Sequence, residues 1–130
     1  MPKSHYAFIA FLCLGAFSPV AARTDVEADP VHYKLEFEND RVRVSRANFG
    51  PHEKMPSFFD PNSAVLVSLT DSEGLKLTFP DGKVTYTPPF RAGAAYWASA
   101  PQRQQQENAG DTRLEFIAIE PKGCKSRRCL

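Results

Sequence analysis

Between Val31 and Ile119 apolar residues recur at every second position, and turn residues cut each run before it reaches helical length. Val31, Tyr33, Leu35 and Phe37 alternate with His32, Lys34, Glu36 and Glu38, which predicts a strand buried on one side. This pattern sets His32 outward, as a surface histidine. Asn39-Asp40 turns the chain, and Val42 and Val44 continue the alternation among Arg41, Arg43 and Arg46. Ala64 to Leu69 is apolar on both faces, as a central strand is. Leu75, Leu77 and Phe79 lead into Pro80-Asp81-Gly82, a hairpin signal that Val84 and Tyr86 answer. A short segment from Ala94 to Ala98 carries Tyr96 and Trp97. Leu114, Phe116 and Ala118 form the last strand, with Ile117 and Ile119 on its other face. No window shows a helical period, and 11 prolines disfavour long helices. The spacing of turn signals from Asn39 to Asp111 is that of an all-β sandwich or barrel. With 130 residues the chain suffices for one domain.

The N-terminus reads as a secretory signal peptide, residues 1–22. Lys3 gives the positive end, Tyr6 to Phe17 the apolar run, and Val20-Ala21-Ala22 a small-residue cleavage site. The run is shorter than a membrane span needs, so no span is expected after cleavage, and the location expected is secreted or periplasmic. Cleavage removes Lys3 and no acid, leaving 15 basic residues against 15 acidic ones. That balance gives no electrostatic case for nucleic acid. Residues 23–30 read as a polar leader of poor order. Residues 31–122 form the barrel, and residues 123–130 a basic tail. Two cysteines survive cleavage, Cys124 and Cys129, as a disulfide or as two free thiols.

Several local patterns carry a resemblance. They are Glu38-Asn39-Asp40-Arg41-Val42-Arg43-Val44, Gly50-Pro51, the Pro61-Asn62-Ser63 approach to an apolar strand, and the Phe79-Pro80-Asp81-Gly82-Lys83 hairpin. Gly93 before Tyr96-Trp97, Glu107-Asn108-Ala109-Gly110-Asp111, and the closing Ile119-Glu120-Pro121-Lys122 follow in order. In this order and spacing the chain resembles a small single-domain cupin of the RmlC-like jelly-roll class, over roughly Val31 to Lys122. The resemblance implies an all-β, jelly-roll β-barrel and pairing as a homodimer. It also implies one divalent metal inside the barrel, held by two His one residue apart, a Glu a few residues on, and a His four residues before an Asn. Those positions fall here on Phe58 and Asp60, on Ala64 or Val65, and on Gln104. Every usual ligand is replaced.

The residue chemistry agrees with that departure. Period two sets Phe58 and Asp60 on one strand face, and Gln102, Gln104 and Gln106 on one face of another. One carboxylate, amides and a benzyl ring do not make a site for iron, manganese, nickel or zinc, which want imidazole and carboxylate ligands. No metal or cofactor is expected on this reading. The pocket is expected at Phe58, Asp60 and Gln104, with Trp97, Tyr96, Gln102 and Gln106 as candidate lining. The aromatic residues Trp97, Tyr86, Tyr96 and Phe90 read first as ordinary barrel core, with apolar pocket lining as the alternative. His52 beside Glu53 is the one candidate acid/base or ligand pair, with a solvated loop histidine as its plain alternative. No nucleophile or phosphate-loop motif is present. The expected function is an exported binding or accessory module for an unknown small molecule or protein. A metal-dependent oxygenase or isomerase using His52, Glu53, Asp60, Gln104 and Glu107 is the first alternative. A structural protein-interaction module with a solid core is the second.

Overall fold

The computed structural model describes residues 24–56, 58–60, 62–99 and 102–123, with backbone alone for 58–60 and 102. The elements are α1 (Asp25–Ala28), β1 (Tyr33–Glu38), β2 (Val42–Phe49), β3 (Phe58–Asp60), β4 (Ala64–Ser68), β5 (Leu75–Thr78), β6 (Val84–Tyr86), β7 (Ala95–Ala98), β8 (Gln102–Asn108) and β9 (Leu114–Pro121). They form two antiparallel sheets, a five-stranded one in the order β1-β2-β9-β4-β7 and a four-stranded one in the order β3-β8-β5-β6. The order is non-sequential, as jelly rolls require, so most packing joins distant parts of the chain. No described helix is long and apolar enough to cross a membrane.

Alternation decides which face is inside. On β9, Leu114, Phe116, Ala118 and Glu120 are buried, while Glu115, Ile117 and Ile119 are half-buried on the other face. Ser45, Ala47 and Phe49 answer on β2. The core joins Tyr33, Phe49, Phe90 and Phe116, whose rings meet at centroid distances of 5.8–6.4 Å, to Met55, Leu75 and Leu114. Gly74 is one backbone requirement. Its φ is +97°, and a Cβ there would stand 2.6 Å from Thr87 Oγ1 and 2.7 Å from the Pro88 carbonyl oxygen.

Several sequence expectations are corrected. The leader is not disordered at 24–29: Thr24 and Glu27 form a capping box, and Asp25 and Asp29 are buried. The first strand begins at Tyr33, and of its alternating apolar residues only Tyr33 is buried. β1 is an edge strand, and its register shifts between Leu35 and Phe37, so Phe37 pairs with Val44 on the outer face. Tyr86, read as pocket or core, is exposed on the outer side of β6. The expected signal peptide, residues 1–22, and Cys124 and Cys129 lie outside the described residues.

Candidate functional site

The barrel is filled at one end and hollow at the other. At the filled end Asn108, 0% exposed, ties the closing loops together. Its Nδ2 donates to the carbonyl oxygens of Gly50 (2.9 Å) and Thr112 (2.8 Å), with a longer approach to Phe49 (3.4 Å), and its Oδ1 accepts from Gly110 N–H at 3.1 Å. Phe49, Met55 and Leu114 complete that end, all fully buried.

Further along, the inward residues of the five-stranded sheet become small. Ser45, Ala118 and Leu66 share one cross-strand row with Tyr96, and Ala64 pairs with Ala98. Short side chains there leave the space between the sheets unfilled. The result is a cavity of about 600 Å³. Leu66, Leu75, Leu77, Phe79, Phe90 and Tyr96 give it hydrocarbon walls. The Tyr96 hydroxyl accepts from the Arg91 N–H at 2.8 Å, so its ring rather than its oxygen serves the cavity.

Gln104 and Gln106 line this space from β8, and Gln104 is 7% exposed. The register sets Phe58 opposite Gln104 and Asp60 opposite Gln102, so the backbone brings β3 and β8 together at this level. The side chains of Phe58, Asp60 and Gln102 lie outside the described residues. Trp97 borders the cavity from the edge strand β7, but alternation places it on the opposite face from Tyr96, and it is 52% exposed.

The sequence analysis missed Asp25. It lies 8% exposed in α1 and lines the cavity. It also misassigned His32. Instead of facing water, His32 stacks on Phe49 at 4.7 Å and stands between two carboxylates, Asp29 Oδ2 at 2.7 Å from Nδ1 and Glu53 Oε2 at 3.1 Å from Nε2. Glu53 therefore partners His32, not its neighbour His52. Its carboxyl is held below the ordinary range, first by the Gly50 N–H that donates to it at 2.6 Å and then, against burial, by His32. His52 instead meets Asp111 at 2.7 Å on the exposed rim, in a left-handed conformation with φ of 59°. Glu107 faces outward between Lys54 and Lys76. His52, Glu53 and Glu107 thus do not gather with Gln104.

The described donor set does not fit a transition-metal ion. Around the cavity it offers the Asp25 carboxylate, the amides of Gln104 and Gln106 and the hydroxyl-bearing Tyr33, Thr87 and Tyr96, beside the cationic Arg103, with no imidazole. Among the described residues, no group of three or more His, Cys, Asp or Glu side chains is placed to hold a metal ion.

No protein-family model matches the sequence, nor does any curated protein. Solved structures do. A cupin domain from Bordetella pertussis Tohama I superposes with a TM-score of 0.62 at 24% identity, covering 70% of this chain and 92% of that one. An RmlC-like cupin family protein with a double-stranded β-helix fold, from Methanocaldococcus jannaschii, gives 0.51 at 14% identity, over 93% of this chain and 92% of its own. The polyketide cyclase RemF from Streptomyces resistomycificus gives 0.51 at 16% identity, over 68% of this chain and 63% of its own. The two sheets and their order are those of a cupin double-stranded β-helix fold.

Proposed function

We propose that the chain is an exported, non-catalytic binding module that takes a small, largely apolar molecule into the barrel without a metal. The observation that carries this reading is the cavity of about 600 Å³, walled largely by hydrocarbon, with amides from Gln104 and Gln106 and with Asp25 and Arg103 also at its wall. Its volume lies within the range of small-molecule sites, and a few polar groups on an apolar wall are what such sites use to orient a ligand. An amide offers both a donor and an acceptor, which suits an uncharged polar group on the ligand. The apolar run from Tyr6 to Phe17 supports export.

Titration with the neutral fluorescent probe N-phenyl-1-naphthylamine tests the reading. Saturable binding at one site is expected, unchanged after treatment with a chelator and lost in Leu77→Trp, which fills the cavity. Binding that survives the substitution, or that disappears with the chelator, would refute it. The chelator arm also separates this function from a metal-dependent enzyme.

A further inference from the structure

The cavity wall combines aromatic rings with one buried charge. Tyr33, Phe116, Phe90 and Tyr96 all line it, and along that series successive ring centroids are 6.2, 6.4 and 4.7 Å apart. Asp25 joins them from α1 and is 8% exposed. Its place is fixed, because the Thr24–Glu27 capping box holds the helix and Val26 packs on the core. Withdrawing a carboxylate from water beside hydrocarbon is costly, and holding a neutral apolar molecule does not call for it. A carboxylate accepts about four hydrogen bonds, so a contact of Asp25 within the chain and one to a ligand are compatible. Arg103, the cation at the same wall, differs. Alternation turns it to the opposite face of β8 from Gln104, and it is exposed, so water screens its charge.

Building on the binding role proposed above, we propose that the guest of this cavity is a small organic cation, an ammonium group on an apolar body, its charge met by Asp25 and its body by the rings. Two effects act together. Aromatic faces attract a cation, and more strongly where water is excluded. The carboxylate attracts it as well, and in a largely apolar chamber that attraction is screened less than at a surface. The amides of Gln104 and Gln106 remain for an uncharged polar group on the same molecule. An anionic guest would meet like charge at Asp25, and a neutral one would gain nothing from it.

The test displaces N-phenyl-1-naphthylamine from the full chain with two molecules of one shape, benzyltrimethylammonium and its uncharged carbon analogue neopentylbenzene, and with the anion 4-phenylbutyrate. The cation is expected to bind at least about 10-fold more tightly than its neutral twin. Asp25→Asn keeps the size of the side chain and removes its charge, and should bring the pair to within about 2-fold of each other. Equal binding of the pair by the parent protein would overturn the proposal. So would tighter binding of 4-phenylbutyrate, which would give the charge recognition to Arg103, and so would a preference for the cation that survives Asp25→Asn. The parent comparison decides the question by itself if Asp25→Asn fails to fold. Equal binding of the pair refutes only the charge of the guest, whereas a parent protein that takes up no N-phenyl-1-naphthylamine refutes the binding role and the charge with it.

Discussion

The two ends of this barrel are built from the same strands and differ in what fills them. Around Asn108 the inward residues are Phe49, Met55 and Leu114, and nothing is left to occupy. Across the same sheet toward Ala64 and Ala98 the inward residues include Ser45, Ala118 and the two alanines beside Leu66 and Tyr96, and a cavity remains. Stability is therefore concentrated at one end and ligand capacity at the other. Volume, not topology, makes the division.

The sharpest way to break that contrast is one chemical change at both ends. Leu114→Ala should cost about 4 kcal/mol, because the packed end cannot collapse onto the hole. Leu66→Ala should cost only about 1.5 kcal/mol, because its side chain already borders open space and loses fewer contacts. Urea denaturation of both variants measures the difference, and equal costs would abolish it. Asn108→Ala comes next, at about 3 kcal/mol, since it takes a partner from one buried and two part-buried carbonyl groups and from the buried Gly110 N–H. Gln104→Leu should change stability by less than about 1 kcal/mol while altering the affinity for N-phenyl-1-naphthylamine, which marks it as a residue of the ligand end.

Acid titration gives the smallest effect. Glu53 is held below its ordinary value of 4.5, by the Gly50 N–H first and His32 after it. Glu38 is held below the same value, mainly by Lys122 and then Arg43. A carboxylate whose value falls on folding stabilises fully above its unfolded value, and that contribution disappears as pH drops through the folded one. The melting temperature should therefore fall with acid below about pH 4.5. Glu53→Gln should lower it slightly at neutral pH and flatten the acid limb, so that the two curves converge at low pH. Parallel curves at every pH would show that the His32–Glu53–Gly50 contacts stabilise nothing.

The sheet strands were legible because period two is a strong signal, and β9 shows the inside and outside residues as its alternation predicts. The order of the turn patterns carried the fold. Three things were not legible, each for a physical reason. The bulge in β1 is a change of register, which leaves the alternation intact in the sequence while turning Phe37 to the other face. His32 and Glu53 are 21 positions apart, and only the closed barrel brings them together. The cavity follows from small residues scattered over β2, β4, β7 and β9. Their shared level appears only once the register is known, although Ala64, Ala98 and Ala118 were the available signal. Gln104 was singled out through its spacing from Asn108, and it lies buried in the cavity wall.

The short helix α1 has a practical consequence for where this unit begins. Strand patterning alone starts the barrel near Val31, yet Asp25 forms part of the chamber wall and Asp29 holds the imidazole that bridges to the 50–55 loop. A chain shortened to Val31 would retain every sheet and lose a section of its own container. Its melting curve would report the missing clamp, and its guest would meet an opening where the intact protein has a side.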